Sequence, residues 1–113
     1  MYTFPIVEKR LYDIKNIEHI HPRKQRIIEK ILKIVPAFNV FGSAIRWDCN
    51  EKSDIDLLID KNEINISKEE IFNKLAKSID SDFDILWLDE IKNDLNEIQK
   101  ENIINRSIRI DGR

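Results

Sequence analysis

Two aspartates stand two positions apart at the start of the apolar segment 54–59. Side chains alternate across a β-strand, so this segment predicts a strand whose Ile55 and Leu57 face a buried layer. Asp54 and Asp56 then project together from the opposite face. Unpaired carboxylates this close repel each other and lose hydration, so an apolar strand that carries them usually holds a cation. The chain must therefore fold with this strand between an apolar layer and a polar site.

A Gly-Ser pair ends the preceding apolar run, at residues 37–41, which predicts a buried strand that enters a tight turn. Gly42 has no β-carbon and lets backbone amides approach a phosphate closely, while Ser43 adds a hydroxyl at the start of a short helix. Either motif alone is weak evidence. With ten residues between Ser43 and Asp54, the two together favour a phosphate and metal site over a coincidental surface loop. Oxygen ligands of this kind suit Mg²⁺.

Hydrophobic periodicity predicts two helices and a third strand around this pair. Apolar residues at helical spacing indicate a helix over 23–34. A capping box that begins at Ser67 predicts a helix over 67–79, and the apolar run 83–88 predicts a strand. The order of elements favours an α/β, or more narrowly α+β, domain in which helices pack on a mixed sheet of three to four strands.

The C-terminal part predicts one more helix and a short β-like tail over 107–110. Asp89 is the predicted N-cap of that helix. Its predicted buried stripe consists of Ile91, Leu95, Ile98 and either Asn102 or Ile103.

The N-terminal residues are the least regular. Alternation at Tyr2, Phe4 and Ile6 indicates a short strand, and the apolar residues that follow indicate a helical turn. We interpret residues 1–22 as an N-terminal extension and 23–113 as the globular domain.

Composition narrows the class of protein. The chain has 113 residues, 42% hydrophobic and 35% charged, which fits a single globular domain. No apolar run reaches the roughly 18 residues of a spanning helix, and a secretory signal is not apparent, so we expect no membrane association. Cys49 is the only cysteine and excludes an intrachain disulfide. A reducing cytoplasm is the expected location.

Charge is unevenly divided along the chain. Residues 1–47 carry nine Lys or Arg against four Asp or Glu, and residues 48–113 carry ten against seventeen, which gives +5 and −7. Phosphate contacts in one half and metal-binding carboxylates in the other explain this division as well as two solvated faces do. The basic half has no cluster of Lys and Arg interleaved with aromatic residues, so a nucleic-acid partner is not favoured.

The combination of motifs resembles the nucleotidyltransferase superfamily of DNA polymerase beta, in particular its minimal, antitoxin-type nucleotidyltransferases. The resemblance is carried by Val40–Ser43, Arg46 and Lys52–Ile59, and it extends more loosely over about residues 23–110. Small members often have a glycine after the arginine, where this chain has Trp47. The resemblance implies a nucleotidyltransferase fold and a third carboxylate on the next strand.

Asp84 holds the position that matches this third carboxylate. Asp82 is its rival on the same strand face, but Asp84 lies inside the apolar run, between Phe83 and Ile85. The resemblance implies that Asp54, Asp56 and Asp84 are the catalytic and metal-binding residues, with one or two Mg²⁺ ions.

The nucleotide-binding residues implied by the resemblance are Gly42, Ser43, Arg46 and Lys52. The reaction is transfer of a nucleoside monophosphate from a triphosphate to an acceptor hydroxyl, with ATP the expected donor and AMP the group transferred. A guanidinium such as that of Arg46 suits the β- or γ-phosphate.

Family members of this size often pair with a helical HEPN-type toxin and silence it by adding AMP to a tyrosine. A catalytic core of 113 residues has no room for its own substrate lobe, so an acceptor protein or second subunit must complete the cleft. Two other functions stay open: a non-catalytic module that neutralises a partner by contact, and a nucleotidyltransferase acting on a small molecule such as an aminoglycoside. Oligomeric state, with a homo-oligomer among the options, also stays open.

Overall fold

A computed structural model of the protein describes residues 3–112, with the side chains of Lys92 and Asp94 outside that description. The described chain contains four α-helices: α1 (Pro22–Leu32), α2 (Lys68–Ser78), α3 (Leu88–Asp94) and α4 (Glu97–Arg106). It also contains four strands: β1 (Ala37–Phe41), β2 (Ile55–Ile59), β3 (Phe83–Trp87) and β4 (Ile108–Asp111). No described helix is both long and apolar enough to cross a bilayer.

The four strands form one mixed sheet in the order β3-β2-β1-β4. β1 is antiparallel to both β2 and β4, whereas β2 and β3 are parallel and joined through α2. This confirms the predicted α+β class and a sheet of four strands. The predicted β-like tail is β4, which pairs along β1.

Local signals explain where the first two helices begin. Pro22 occupies the first turn of α1, and His21 is the N-cap, its Nδ1 accepting a hydrogen bond from the Arg23 amide at 3.2 Å. The Ser67 hydroxyl accepts from the Glu70 amide at 3.1 Å and caps α2.

One face of the sheet is buried in a single apolar core. Ile55, Leu57 and Ile59 of β2 are fully buried there, together with apolar residues of α1 and α2. Each such side chain stabilises the fold by about 1.5–3 kcal/mol. The same core contains Leu11, Ile17 and Ile20, so the N-terminal residues pack onto the domain.

The last predicted helix is wrong in two respects. The chain breaks at Leu95, and Asn96 starts a new helix through a capping box with Gln99. Ile98, predicted to be buried, is 71% exposed, because the restarted helix no longer follows the earlier stripe. The predicted cap, Asp89, lies inside α3 and pairs with Lys68 at 2.8 Å.

The predicted N-terminal strand is also absent from the described residues. Phe4 and Ile6 lie outside any strand, and Tyr2 lies outside the described residues. The predicted helical turn is present as short 3₁₀ helices at Lys9–Asp13 and Ile17–His19.

The second face of the sheet is partly covered by α4. Asn39 and Leu58 line one small cavity with Ile104, and the Asn39 amide donates to the Ser107 hydroxyl at 2.8 Å. Asn39 pairs with Leu58, and Phe41 pairs with Asp56, so these four residues share that face. The face that carries Asp56 therefore has α4 packed along part of it.

Candidate active site

Asp56 lies at the centre of the predicted site. In the sheet register it pairs with Phe41 on one side and with Asp84 on the other. Gly42 follows Phe41 directly. The Gly-Ser turn therefore adjoins Asp56 from β1, and the third predicted carboxylate adjoins it from β3, on the other side of β2. Residues up to 43 positions apart in sequence are brought together by strand pairing alone.

Gly42 is required where it stands. Its φ of 75° is a left-handed conformation that side chains disfavour. A β-carbon at this position would lie 3.1 Å from the Cγ of Asp56, and closer still to its Oδ2. The glycine therefore leaves the space that the Asp56 carboxylate occupies.

Ser43 joins the turn to the beginning of β2. It lies in a short 3₁₀ helix, Gly42–Ile45, as the sequence predicts for the segment after the turn. Its hydroxyl donates to the Asp54 carbonyl at 3.2 Å. This bond holds the Gly-Ser turn beside the backbone that carries the first aspartate.

The electrostatics of Asp56 reflect its neighbours. Partial burial raises the pKa of its carboxyl above the ordinary 3.8, and the charges of Asp84 and Asp54 raise it further. The Arg46 guanidinium opposes them and lowers the pKa. Asp56 is therefore within electrostatic reach of both other carboxylates and of one predicted phosphate-binding residue.

The choice between Asp84 and Asp82 has a structural basis. Asp84 pairs with Asp56 and acts on its pKa, whereas Asp82 precedes β3 and uses its backbone carbonyl to accept the Ile55 amide at 3.0 Å. Both side chains are exposed. The geometry favours Asp84 as the third carboxylate.

The two predicted basic residues are placed differently. Arg46 follows the turn, and its Nε lies 3.3 Å from an Asp48 carboxylate oxygen. Lys52 lies in the exposed loop beside Arg23 and Glu51, where its amide donates to Asn50. The role of Lys52 stays a prediction, and its loop lines a surface depression separate from the Gly42 turn.

The donor set of the three aspartates suits a hard cation such as Mg²⁺. Among the described side chains, no three His, Cys, Asp or Glu residues converge closely enough to form a complete metal site. A cation is the group that would relieve the repulsion that Asp56 experiences from Asp84 and Asp54. The ligand chemistry of these residues thus fits Mg²⁺, although the described side chains are not close enough together to form a complete coordination site.

Two cavities adjoin the sheet partners of Asp56, one at Asp84 and the other at Phe41, and Asp56 itself lines neither. The β3 cavity, about 520 Å³, lies on the side of Asp54 and Asp84. Its lining also includes Asp80, Ser81, Asp82 and the apolar residues Phe72, Ala76, Ile79 and Phe83.

The α4 cavity, about 570 Å³, lies on the side of the Gly-Ser turn. Its lining consists of Phe41, Gly42, Ile45, Arg46, Asn102, Ile103, Asn105 and Arg106. Sequence reasoning missed the polar groups of α4 in this cavity, because it treated that helix as a core stripe. The Asn96 capping box was the signal that the helix restarts there.

Comparison with known protein families, with curated proteins and with solved structures finds no match.

Proposed function

We propose that the chain is a metal-dependent nucleotidyltransferase that transfers a nucleoside monophosphate from a nucleoside triphosphate to an acceptor hydroxyl. The expected donor is ATP, and the expected transferred group is AMP. The observation that supports this most is the position of Asp56, with Asp54 and Asp84 within electrostatic reach and Gly42 directly against its carboxylate. The Gly42-Ser43 turn, which is proposed to bind phosphate, and the acidic residues therefore lie next to each other at the Asp56 carboxylate. Such a site suits phosphoryl transfer, where catalysis is mainly positioning and charge stabilisation.

The proposed roles follow from these positions. Asp54 and Asp56 would hold Mg²⁺ against the triphosphate, and Asp84 with Asp56 a second ion. Bound Mg²⁺ supplies charge neutralisation on the phosphates and on the acceptor oxygen. The acceptor oxygen forms a bond to the α-phosphorus as the bond to the bridging oxygen breaks, and pyrophosphate leaves. Asp84 takes the proton of the acceptor hydroxyl.

We further propose that the acceptor belongs to a partner protein, with a tyrosine of a helical HEPN-type toxin as the expected target and antitoxin action as the result. Two features support an acceptor on another molecule. Asp84 is exposed on β3, an edge strand of the sheet. The β3 cavity beside it is lined on one side by the exposed ring of Phe72, a surface that an aromatic acceptor can contact.

The test combines the purified chain, Mg²⁺, labelled ATP and the protein encoded by the adjacent gene. Covalent label on a tyrosine of that protein is the expected result. Absence of label with folded proteins, at several Mg²⁺ concentrations, would overturn the proposal.

A matched variant separates catalysis from neutralisation by contact. Replacing Asp54 and Asp56 together by Asn keeps size and shape but removes both charges, so neutralisation of the partner should be lost. Full neutralisation by this variant would show a non-catalytic binding module instead.

A further inference from the structure

The two cavities beside Asp56 carry opposite charge. The β3 cavity is lined by four aspartates, Asp54, Asp80, Asp82 and Asp84, and its lining contains no lysine or arginine. The α4 cavity is lined by two arginines, Arg46 and Arg106, and its lining contains no aspartate or glutamate. The proposed reaction brings two substrates to the same carboxylates, and charge distinguishes which side each can occupy.

A nucleoside triphosphate is a polyanion, so the part of it that the proposed Mg²⁺ ions do not neutralise favours the cavity with two arginines over the one with four aspartates. The α4 cavity is also lined by Gly42, which lies so near the Asp56 side chain that a β-carbon on it would be 3.1 Å from the Asp56 Cγ. A triphosphate seated at the Gly-Ser turn can therefore extend its nucleoside into the α4 cavity without passing the acidic side.

We propose that the α4 cavity binds the nucleoside end of the donor, with Asn102, Asn105 and Arg106 of α4 as its recognition groups, while the acceptor hydroxyl enters from the β3 cavity. This rests on the proposed nucleotidyltransferase function and adds a substrate orientation and three residues to it. In-line displacement requires the attacking and leaving oxygens on opposite sides of the phosphorus. The leaving oxygen belongs to pyrophosphate, so the nucleoside, which stays bonded to the phosphorus through another oxygen, can lie toward the α4 cavity while the acceptor attacks from the side of the β3 cavity.

The lining of the α4 cavity suits a nucleoside. Ile45 and Ile103 offer apolar contact to a base, and the Asn102 and Asn105 carboxamides each present donors and an acceptor that match the edge of a nucleobase. Within residues 3–112, none of the three proposed recognition side chains is engaged in a hydrogen bond or ion pair. The volume of about 570 Å³ lies in the usual range for small-molecule sites.

The test uses 8-azido-ATP with Mg²⁺ on the full chain, followed by irradiation and tryptic mapping. Label is expected on residues 101–106 of α4 or on the 41–46 segment. In parallel, binding of Mg²⁺–ATP is measured for Asn102→Ala and Arg106→Ala, each expected to weaken affinity about three- to tenfold. Lys77→Ala is the matched control, because it also removes a cation from the last turn of a helix and Lys77 lines neither cavity.

Each outcome decides a different point. Label on the lining of the α4 cavity, together with weakened binding by the α4 variants alone, supports the proposal. Nucleotide that binds but labels residues elsewhere, or that binds equally to the α4 variants, overturns the orientation and leaves the proposed function standing. A folded chain that binds no nucleotide with Mg²⁺ overturns both.

Discussion

The two faces of β2 differ at one position, because Asp56 is half-buried while the other four residues of the strand are buried. Ile55, Leu57 and Ile59 on one face are fully buried in the apolar core. Asp56 on the other face has two carboxylates in reach, and each of its sheet partners, Phe41 and Asp84, lines a cavity. Because side chains alternate along a strand, stability and proposed chemistry are kept apart although they share one backbone. Substitutions on the two faces should therefore have separable effects.

The largest expected effect is on transfer by Asp56→Asn. The amide has the size of the carboxylate and keeps its place against Gly42, but it removes the charge that would hold the metal. Transfer should fall at least about a thousandfold, equivalent to about 4 kcal/mol of transition-state stabilisation. Labelled-ATP transfer assays measure this, with circular dichroism to show that the variant is folded. Transfer at the rate of the unmodified chain would contradict the assignment.

The opposite face should respond in stability. Leu57→Ala leaves a cavity in the core and should lower the free energy of unfolding by about 2–5 kcal/mol. Urea unfolding measures the change, and Asp56→Asn, one residue away, is the matched comparison that should lose none. A decrease of less than about 1 kcal/mol in the free energy of unfolding of Leu57→Ala would contradict the close packing of this face in the core.

Alanine substitutions at the two glycines test how closely the backbone approaches the Asp56 carboxylate. Gly42→Ala places a β-carbon against the Asp56 carboxylate at a positive φ and should destabilise the fold by about 1–3 kcal/mol. Gly112→Ala meets only the flexible end of Leu32, at 3.3 Å, and should cost less than about 1 kcal/mol.

A double variant separates the two causes at Gly42. Combining Gly42→Ala with Asp56→Ala should recover the part of the cost that arises from contact and leave the part that arises from φ. Thermal unfolding of the single and double variants measures both contributions. Equal destabilisation by Gly42→Ala and Gly112→Ala would contradict the close approach of Gly42 to Asp56.

The smallest expected effect is the pH dependence of stability without divalent cations. The pKa of Asp56 is raised in the folded state, so its favourable contribution is complete below the unfolded value of 3.8 and is lost as the pH rises through the raised value. Asp56→Asn should thus gain on the unmodified chain toward neutral pH, by less than about 1 kcal/mol after solvent screening.

Mg²⁺ should reverse this difference, because it stabilises only the chain whose carboxylate can bind it. Unfolding curves at pH 3 to 7, with and without Mg²⁺, provide the measurement. A variant stabilised by Mg²⁺ as much as the unmodified chain would place the cation elsewhere.

The sequence predicts the fold well where the pattern is local. Strands β1 to β3 and helices α1 and α2 lie within one or two residues of their predicted bounds, because alternation, capping and proline positions act over a few residues. The last helix was mispredicted because Leu95 and Ile98 continue a helical spacing across a break, and spacing alone does not reveal the restart at Asn96.

The candidate site divides in the same way. Gly42, Ser43, Asp54 and Asp56 were predictable because the turn and the alternating strand are both local patterns. The register that sets Asp84 beside Asp56 depends on strand pairing, and the sequence suggested it only through the family resemblance. Arg106 enters the site through the packing of α4, which no local pattern encodes.

Asp84 also has a consequence for how the molecule behaves in a crowded solution. β3 is an edge strand with an otherwise apolar sequence, and such edges invite strands of other molecules to pair with them. A charged residue at the second position of that strand opposes such pairing, since its carboxylate would lose hydration against the side chains of an added strand. Removing the charge should therefore make the chain more prone to aggregate, and the proposed transfer activity of Asp84→Ala has to be measured on monodisperse protein.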